Sequence, residues 1–118
     1  MIPDRVREGL SAALEDDRPL LRPEDFEQML ESGNAQLWTG EKSWIFTRIT
    51  PYASGEIVLD GGPAGGDLAE ILQGIDHIEA RAREAGVTQI HITSSRAWSR
   101  ILKSRGYAEM FTVTRKTL

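Results

Sequence analysis

The chain of 118 residues contains no cysteine and only two histidines, His77 and His91. The absence of cysteine excludes disulfide bonds, zinc sites with thiolate ligands and a cysteine nucleophile. Two histidines are too few for the multi-histidine sites that hold catalytic zinc. We therefore expect no resident metal ion and no covalent catalysis through a thiol.

Long apolar runs are missing as well. No segment approaches the roughly 18 consecutive apolar residues of a membrane-spanning helix, and the N-terminus carries no signal-peptide pattern. We therefore expect no membrane segment and an intracellular protein. Hydrophobic residues make up 40% of the chain and charged residues 27%, which is ordinary for a globular protein. A chain of this length is expected to form one domain, residues 1–118, with a core of its own.

Charge is distributed unevenly along the chain. Residues 1–33 hold nine acidic and four basic side chains, whereas residues 94–118 hold six basic side chains and one acidic. Arg96, Arg100 and Lys103 recur at helical spacing, which places them on one face of a predicted helix. One interpretation is a basic surface for an acidic partner. The alternative is that the two ends face each other or are solvated. A nucleic-acid partner is a weaker option, because no DNA-binding motif accompanies these side chains.

The first half of the chain is predicted to contain two helices and three strands. Apolar residues at helical spacing predict amphipathic helices over residues 2–14 and 23–32, and Pro23 suits the first turn of the second one. Strands are predicted at residues 35–39, 43–50 and 56–60. The turn Gly40-Glu41 between the first two indicates a hairpin.

A glycine-rich stretch and a long helix follow, and the rest of the chain is organised around them. The glycines predicted to form a loop are Gly61, Gly62, Gly65 and Gly66. A helix is predicted from its N-cap, Asp67, to residue 85. A strand, a glycine loop and a helix N-terminus together bind anions in many proteins. The alternative is a connection without a ligand, because Asp67 would satisfy the first helix N–H groups and repel an anion.

The last third of the chain is predicted to add a strand at residues 87–93, a helix at 95–105 and a final strand at 109–117. These elements predict an α/β (α+β) domain with a mixed, largely antiparallel sheet and helices on both faces. The apolar stripe of the long helix is expected to be buried against this sheet; it consists of Leu68, Ile71, Leu72, Ile75 and Ile78, and the sheet residues facing it are Ile57, Leu59, Ile90 and Ile92.

The order of elements and three short motifs resemble the Gcn5-related N-acetyltransferase (GNAT) superfamily. The motifs are Gly65-Gly66-Asp67, Ala97-Trp98-Ser99-Arg100 and Gly106-Tyr107. They are most similar to those of the short GNAT-like proteins that phages and prophages encode. The resemblance covers residues 56–118, with the hairpin before them in the expected place. It implies a GNAT-like domain in which residues 1–33 form two N-terminal helices and residues 34–118 form the sheet and the acyl-CoA-type half.

The resemblance also implies a function, the transfer of an acetyl group from acetyl-CoA to an amine. The cofactor would lie between strands 56–60 and 87–93, and the residues implied to bind it are Val58, Leu59, Gly61, Gly62, Gly65 and Gly66. The candidates for the base that takes the amine proton are His91, Glu56 and Asp60. Two features depart from the superfamily. The loop lacks the leading Gln or Arg, and Leu102 stands where a tyrosine often serves as the acid.

These departures favour a second interpretation, a non-catalytic virion, assembly or protein-interaction module on the same fold. Its partners would be other phage virion proteins, and its location would be the host cytoplasm or the virion. Arg96, Arg100 and Lys103 are the candidate partner-binding residues. Tryptophans are enriched at interfaces, and the chain has three, Trp38, Trp44 and Trp98. Self-association into a homo-oligomer stays open.

Overall fold

The computed structural model describes residues 2–15 and 20–118. Eight elements follow one another in these ranges: α1 (Asp4–Ala13), α2 (Pro23–Glu31), β1 (Gln36–Thr39), β2 (Ser43–Pro51), β3 (Ile57–Gly66), α3 (Leu68–Glu84), β4 (Gln89–Ile92) and α4 (Arg96–Lys103). The predicted helices are confirmed to within a few residues at their ends. None of the helices in the described ranges is long and apolar enough to cross a membrane.

The strands form one mixed sheet in the order β1-β2-β3-β4. The pairs β1–β2 and β2–β3 are antiparallel, and β3–β4 is parallel. Helix α3 is the crossover that a parallel pair requires. The predicted α+β domain with a largely antiparallel sheet is therefore confirmed.

Each face of the sheet carries its own hydrophobic core, because side chains alternate along a strand. Trp44 and Phe46 of β2 point to one face, where they pack with α1 and α2. Ile45, between them, points to the other face and packs with α3. This alternation explains why helices cover both faces, as predicted.

Trp44 fixes the position of α1 on the sheet. Its indole ring lies between two glycines, Gly9 of α1 and Gly65 of β3. A Cβ atom on either glycine would lie within 2.9 Å of the ring, closer than side chains normally pack. Both positions therefore require glycine for close packing, which explains one glycine of the predicted loop without a ligand.

The prediction that one apolar stripe of α3 is buried against the sheet is confirmed in the middle of the helix and wrong at its start. Ile71 and Ile78 are buried, and Ile75 and Leu72 are half-buried. Leu68, predicted to be buried, is 46% exposed. It is the first residue of α3, directly after the turn from β3, so the stripe makes full contact with the sheet only from the second turn.

The predicted final strand at residues 109–117 is wrong. No strand is assigned after α4, and Met110, Phe111 and Val113 are between 71% and 81% exposed. The alternation of their side chains suits a strand, but a strand also needs a neighbour that accepts its backbone hydrogen bonds. The described structure pairs no neighbour with this segment, so the side-chain pattern alone did not determine the backbone.

Candidate functional site

The glycine-rich stretch is a strand and not the predicted loop. β3 continues through it to Gly66 and pairs with β2, so that Trp44 lies opposite Gly65 and Thr47 lies opposite Gly61. The register shifts between these two pairs, and this irregularity places Gly62 and Pro63 opposite Phe46. Such a bulge bends a strand away from its regular course.

The parallel ladder between β3 and β4 ends at this bulge. Its pairs run from Val58–Gln89 to Gly61–Ile92. Beyond them β4 stops, whereas β3 continues to Gly66. The two strands therefore part after Gly61, and in the described ranges no strand pairs with β3 on this side. A gap opens in the sheet at the same place.

An open cavity of about 450 Å³ lies at this gap. Most of its lining is apolar and comes from the sheet, α3 and α4: Ile45, Leu59, Ile71, Ile75, Ile78, Ile90, Ile92, Trp98 and Leu102. Ala13 and Leu14, at the end of α1 on the opposite face, also line it. The cavity therefore extends through the gap between the strands. The polar side chains in its lining are those of Thr47, Thr93, Ser94 and Tyr107.

Among the described residues that line the cavity, Tyr107 is the one with an ionisable side chain. It is half-buried, and its hydroxyl donates a hydrogen bond of 3.2 Å to Oε1 of Glu79. Burial, followed by the charge of Glu79, raises the pKa of Tyr107 far above its ordinary value. The phenol therefore stays protonated at neutral pH. Leu102, at the position of the tyrosine that the resemblance implies, is buried.

Two carboxylates close the N-terminus of α3. Asp67 is the N-cap, as predicted, and its Oδ2 accepts a hydrogen bond of 3.0 Å from the backbone N–H of Glu70. The side chain of Glu70 accepts hydrogen bonds from Ser43 Oγ at 2.6 Å and from the backbone N–H of Lys42 at 2.9 Å. The Ser43 hydroxyl and then the Lys42 N–H lower the pKa of Glu70, so it is ionised at neutral pH.

The turn between β1 and β2 is held from both sides of the sheet. From the α3 side, the N–H of Asp67 donates to the carbonyl of Lys42 at 2.9 Å. From α1, Arg5 donates to the carbonyl of Gly40 at 2.7 Å and to that of Ser43 at 3.3 Å. The start of α3, the turn between β1 and β2, and α1 therefore meet at one structural junction.

The candidate bases lie together, but away from the cavity. Oε1 of Glu56 accepts a hydrogen bond of 2.7 Å from Gln89 Nε2, and Gln89 Oε1 lies 3.0 Å from Nε2 of His91. Asp60 is the register partner of His91 on β3 and accepts a hydrogen bond of 3.4 Å from Thr50. None of the three lines the cavity. The link through Gln89 was missed, although the two-residue spacing of Gln89 and His91 on a strand was a signal for it.

The candidate cofactor-binding residues fall into two groups. Leu59, Gly61 and Gly62 line the cavity, whereas Val58, Gly65 and Gly66 do not. Val58 is buried between the ladders with β2 and β4, and the two glycines pair with β2 at the far end of β3. Within the described part of the chain, no group of His, Asp and Glu side chains could hold a metal ion.

The candidate partner-binding residues form an exposed surface. Arg96, Arg100 and Lys103 are all exposed on α4. The neighbouring Arg105 is engaged within the domain, because its guanidinium lies 2.7 Å from the carboxylate of Asp76 on α3. We call Arg96, Arg100 and Lys103 the basic surface of α4.

Solved structures share this arrangement of strands and helices. An acetyltransferase from Trypanosoma brucei superposes with a TM-score of 0.66 over 96% of this chain and 90% of its own, at 16% sequence identity. A transcriptional regulator from Bacillus halodurans C-125 superposes with a TM-score of 0.70 over 99% of this chain and 96% of its own, at 17% identity. The chain has the GNAT fold. A predicted acetyltransferase from Clostridium acetobutylicum, solved with acetyl-CoA, reaches a TM-score of 0.62 over 85% of this chain and 78% of its own, at 10% identity.

These identities are low, so the likeness establishes the GNAT fold and not an activity. No protein-family model matches the chain, and no curated protein matches it.

Proposed function

We propose that the protein is a phage-type GNAT-fold protein that binds another protein and transfers acetyl groups poorly or not at all. The observation that carries this proposal is the position of two carboxylates at the start of α3: Asp67 caps the helix, and Glu70, in the first turn, is held by Ser43. The phage-type part rests on the sequence motifs, among them Gly65-Gly66-Asp67 and Gly106-Tyr107.

The closed helix start supports a low affinity for acetyl-CoA. A pyrophosphate at a helix N-terminus is held by free backbone N–H groups and by the positive end of the helix dipole. In α3 the N–H of Glu70 already donates to Asp67, and the charge of Asp67 would repel a second anion. The sequence contains no lysine or arginine between Arg48 and Arg81, so neither β3 nor the first turn of α3 offers a compensating charge.

The positions of the candidate acid and base residues also support weak or absent acetyl transfer. Direct transfer needs a base beside the amine and an acid beside the departing thiolate. His91, Glu56 and Asp60 lie outside the cavity lining, and Leu102 offers no proton. Tyr107 is engaged by Glu79, and its raised pKa makes it a poor proton donor to a thiolate. These features favour a binding role over catalysis.

The basic surface of α4 is the proposed contact with the partner. It lies with α4 and α3 on one face of the sheet, whereas α1 and the acidic helix α2 lie on the other face. The two charged ends are thus separated by the sheet, and the basic side chains remain exposed. Such a surface favours encounter with an acidic partner and is screened by salt. In a phage-type protein this partner would be a virion or assembly component.

The tryptophans are weaker candidates for the apolar anchor of this contact than the sequence suggests. Trp44 is buried, and Trp38 and Trp98 are half-buried. The large apolar side chains that are exposed after α4 are Met110, Phe111, Val113 and Leu118. They are the better candidates for the centre of an interface, because exposed apolar patches mark binding sites.

Charge reversal tests the proposed interaction. Arg96→Glu/Arg100→Glu is expected to abolish co-purification with virion proteins from phage-producing cells, because it reverses the basic surface. Arg81→Glu/Arg83→Glu is the matched control, since it makes the same change in charge at exposed positions of α3. Circular dichroism verifies that both variants fold. Equal co-purification of the two variants at physiological salt would show that the basic surface is merely solvated.

Acetyl transfer to an amine is the second candidate function. The parting of β3 and β4 and the cavity beside Leu59 and Gly62 favour it, since a thioester could reach the gap. Release of the CoA thiol is measured with acetyl-CoA and a lysine-containing peptide. A rate no higher than the uncatalysed rate agrees with a binding role. A turnover of about 1 per second or more, typical of enzymes, would establish catalysis and overturn the main proposal.

A further inference from the structure

The cavity at the gap between β3 and β4 is larger and more apolar than an acetyl group requires. Its volume is about 450 Å³, within the range of small-molecule sites, which are mainly apolar and carry a few polar groups that orient the ligand. If one ligand atom occupies about as much space as a water molecule, roughly 30 Å³, the cavity holds many more atoms than the acetyl group has.

The chemistry of the lining points to a hydrocarbon ligand. The walls are formed mainly by isoleucine and leucine side chains, among them Ile71, Ile75 and Ile90, together with the ring of Trp98. None of these can donate or accept a hydrogen bond with a ligand, except for the indole N–H. The gap beside Gly62 opens directly after the paired residues Gly61 and Ile92. A flexible hydrocarbon chain can follow these apolar walls to the gap.

Two polar residues of the cavity lining are open to solvent. Thr93 and Ser94 line the cavity and are exposed to solvent. Arg96, two residues beyond Ser94, is exposed as well, and none of the described residues that line the cavity carries a carboxylate. A ligand with an apolar tail and an anionic head would therefore find complementary surroundings at both of its ends.

We propose that this cavity binds a straight acyl chain of about eight to twelve carbons, with its carboxyl group beside Thr93 and Ser94 and near Arg96. The chain could come from a free fatty acid or from an acyl thioester. The free acid is favoured, because Asp67 and Glu70 close the site that would hold the phosphates of CoA. This binding does not depend on the protein partner proposed above.

Isothermal titration of the full-length protein with decanoate and with butyrate is the first test. Each methylene removed from water improves affinity by about fourfold, so burial of only half of the six methylenes by which the two acids differ makes decanoate bind about 60-fold more tightly than butyrate. Quenching of tryptophan fluorescence on binding, absent from the Trp98→Phe variant, would locate the chain in the cavity. Failure of decanoate to bind, or equal binding of the two acids, would overturn the proposal.

Filling the cavity is the second test. Ile75→Trp is expected to weaken decanoate binding at least tenfold, because the larger side chain occupies the same space. Ile49→Trp is the matched control, at an exposed position of β2 that does not line the cavity. Thermal unfolding verifies the folded state, and Ile90→Phe provides a smaller insertion if Ile75→Trp does not fold. Equal affinities of filled and control variants would contradict the proposal.

The head group and the source of the chain are tested separately. Arg96→Glu is expected to weaken decanoate binding about tenfold and to leave decanol binding unchanged, whereas Arg81→Glu changes neither. Decanoyl-CoA is expected to bind more weakly than decanoate; the reverse order would overturn the free-acid form.

If the wild type binds nothing and the full-length Phe111→Ser/Val113→Ser variant binds decanoate, the protein's own C-terminal segment occupies the cavity and the proposal fails.

Discussion

The hydroxyl of Ser43 lies 2.6 Å from the carboxylate of Glu70 and donates a hydrogen bond to it. This contact joins the start of β2 to the first turn of α3. The same carboxylate accepts from the backbone N–H of Lys42, so one acidic side chain satisfies two donors of the β1–β2 turn. A junction of this kind stabilises the fold at the place where a GNAT-type enzyme would need a free helix N-terminus.

Glu70→Gln is expected to lower the thermal stability at neutral pH. The hydrogen bonds from Ser43 and Lys42 hold the pKa of Glu70 below its ordinary value of 4.5 in the folded protein. The stability that the ionised group contributes is therefore present above pH 4.5 and is lost as the pH falls through the lowered pKa. The difference in melting temperature between wild type and variant should shrink below pH 4.5. A difference that stays constant down to strongly acidic pH would contradict this role, and Glu84→Gln, at an exposed position of α3, is the control.

Gly66→Ala is expected to destabilise the protein by at least about 3 kcal/mol. Gly66 has a φ of +110°, and a Cβ there would collide with the carbonyl oxygen of Lys42. Gly55→Ala separates the strain of a positive φ from the collision, because Gly55 has a φ of +95° and open space around it. Its cost should be only about 1 kcal/mol, from the backbone conformation alone. Urea unfolding measures both variants, and similar losses would show that the junction at Lys42 is not tightly packed.

Ile78→Ala is expected to cost about 2–5 kcal/mol, since Ile78 is 4% exposed in the core between α3 and the sheet and its truncation leaves a cavity. Leu68→Ala, at the exposed first position of the same helix, should cost less than about 1 kcal/mol. Urea unfolding of the two variants gives the comparison. Equal losses would mean that the buried face of α3 is wrongly assigned.

The helices and the positions of most strands were predictable because their signals are local. The spacing of Ile71 and Ile78 and the capping position of Asp67 depend on neighbours a few residues away. The glycine stretch was predicted as a loop because composition does not reveal a packing partner that lies far along the chain. Gly65 leaves room for the ring of Trp44, and Gly66 leaves room for the carbonyl oxygen of Lys42.

The site was less predictable than the fold for the same reason. The lining of the cavity by Leu59 and Trp98 depends on where β3 and β4 part, and that point is set by the bulge at Gly62. No local pattern marks a bulge inside a run of glycines. The chain of contacts from Glu56 through Gln89 to His91 likewise depends on the parallel register.

Isothermal titration with acetyl-CoA tests most directly whether the start of α3 is closed to phosphate. We expect no binding in the low-micromolar range for the wild type, because Asp67 occupies the helix N-terminus with a negative charge. Asp67→Asn keeps a good N-cap and removes the charge, so it should bind acetyl-CoA more tightly than the wild type. A low-micromolar dissociation constant for the wild type, unchanged in Asp67→Asn, would contradict the account.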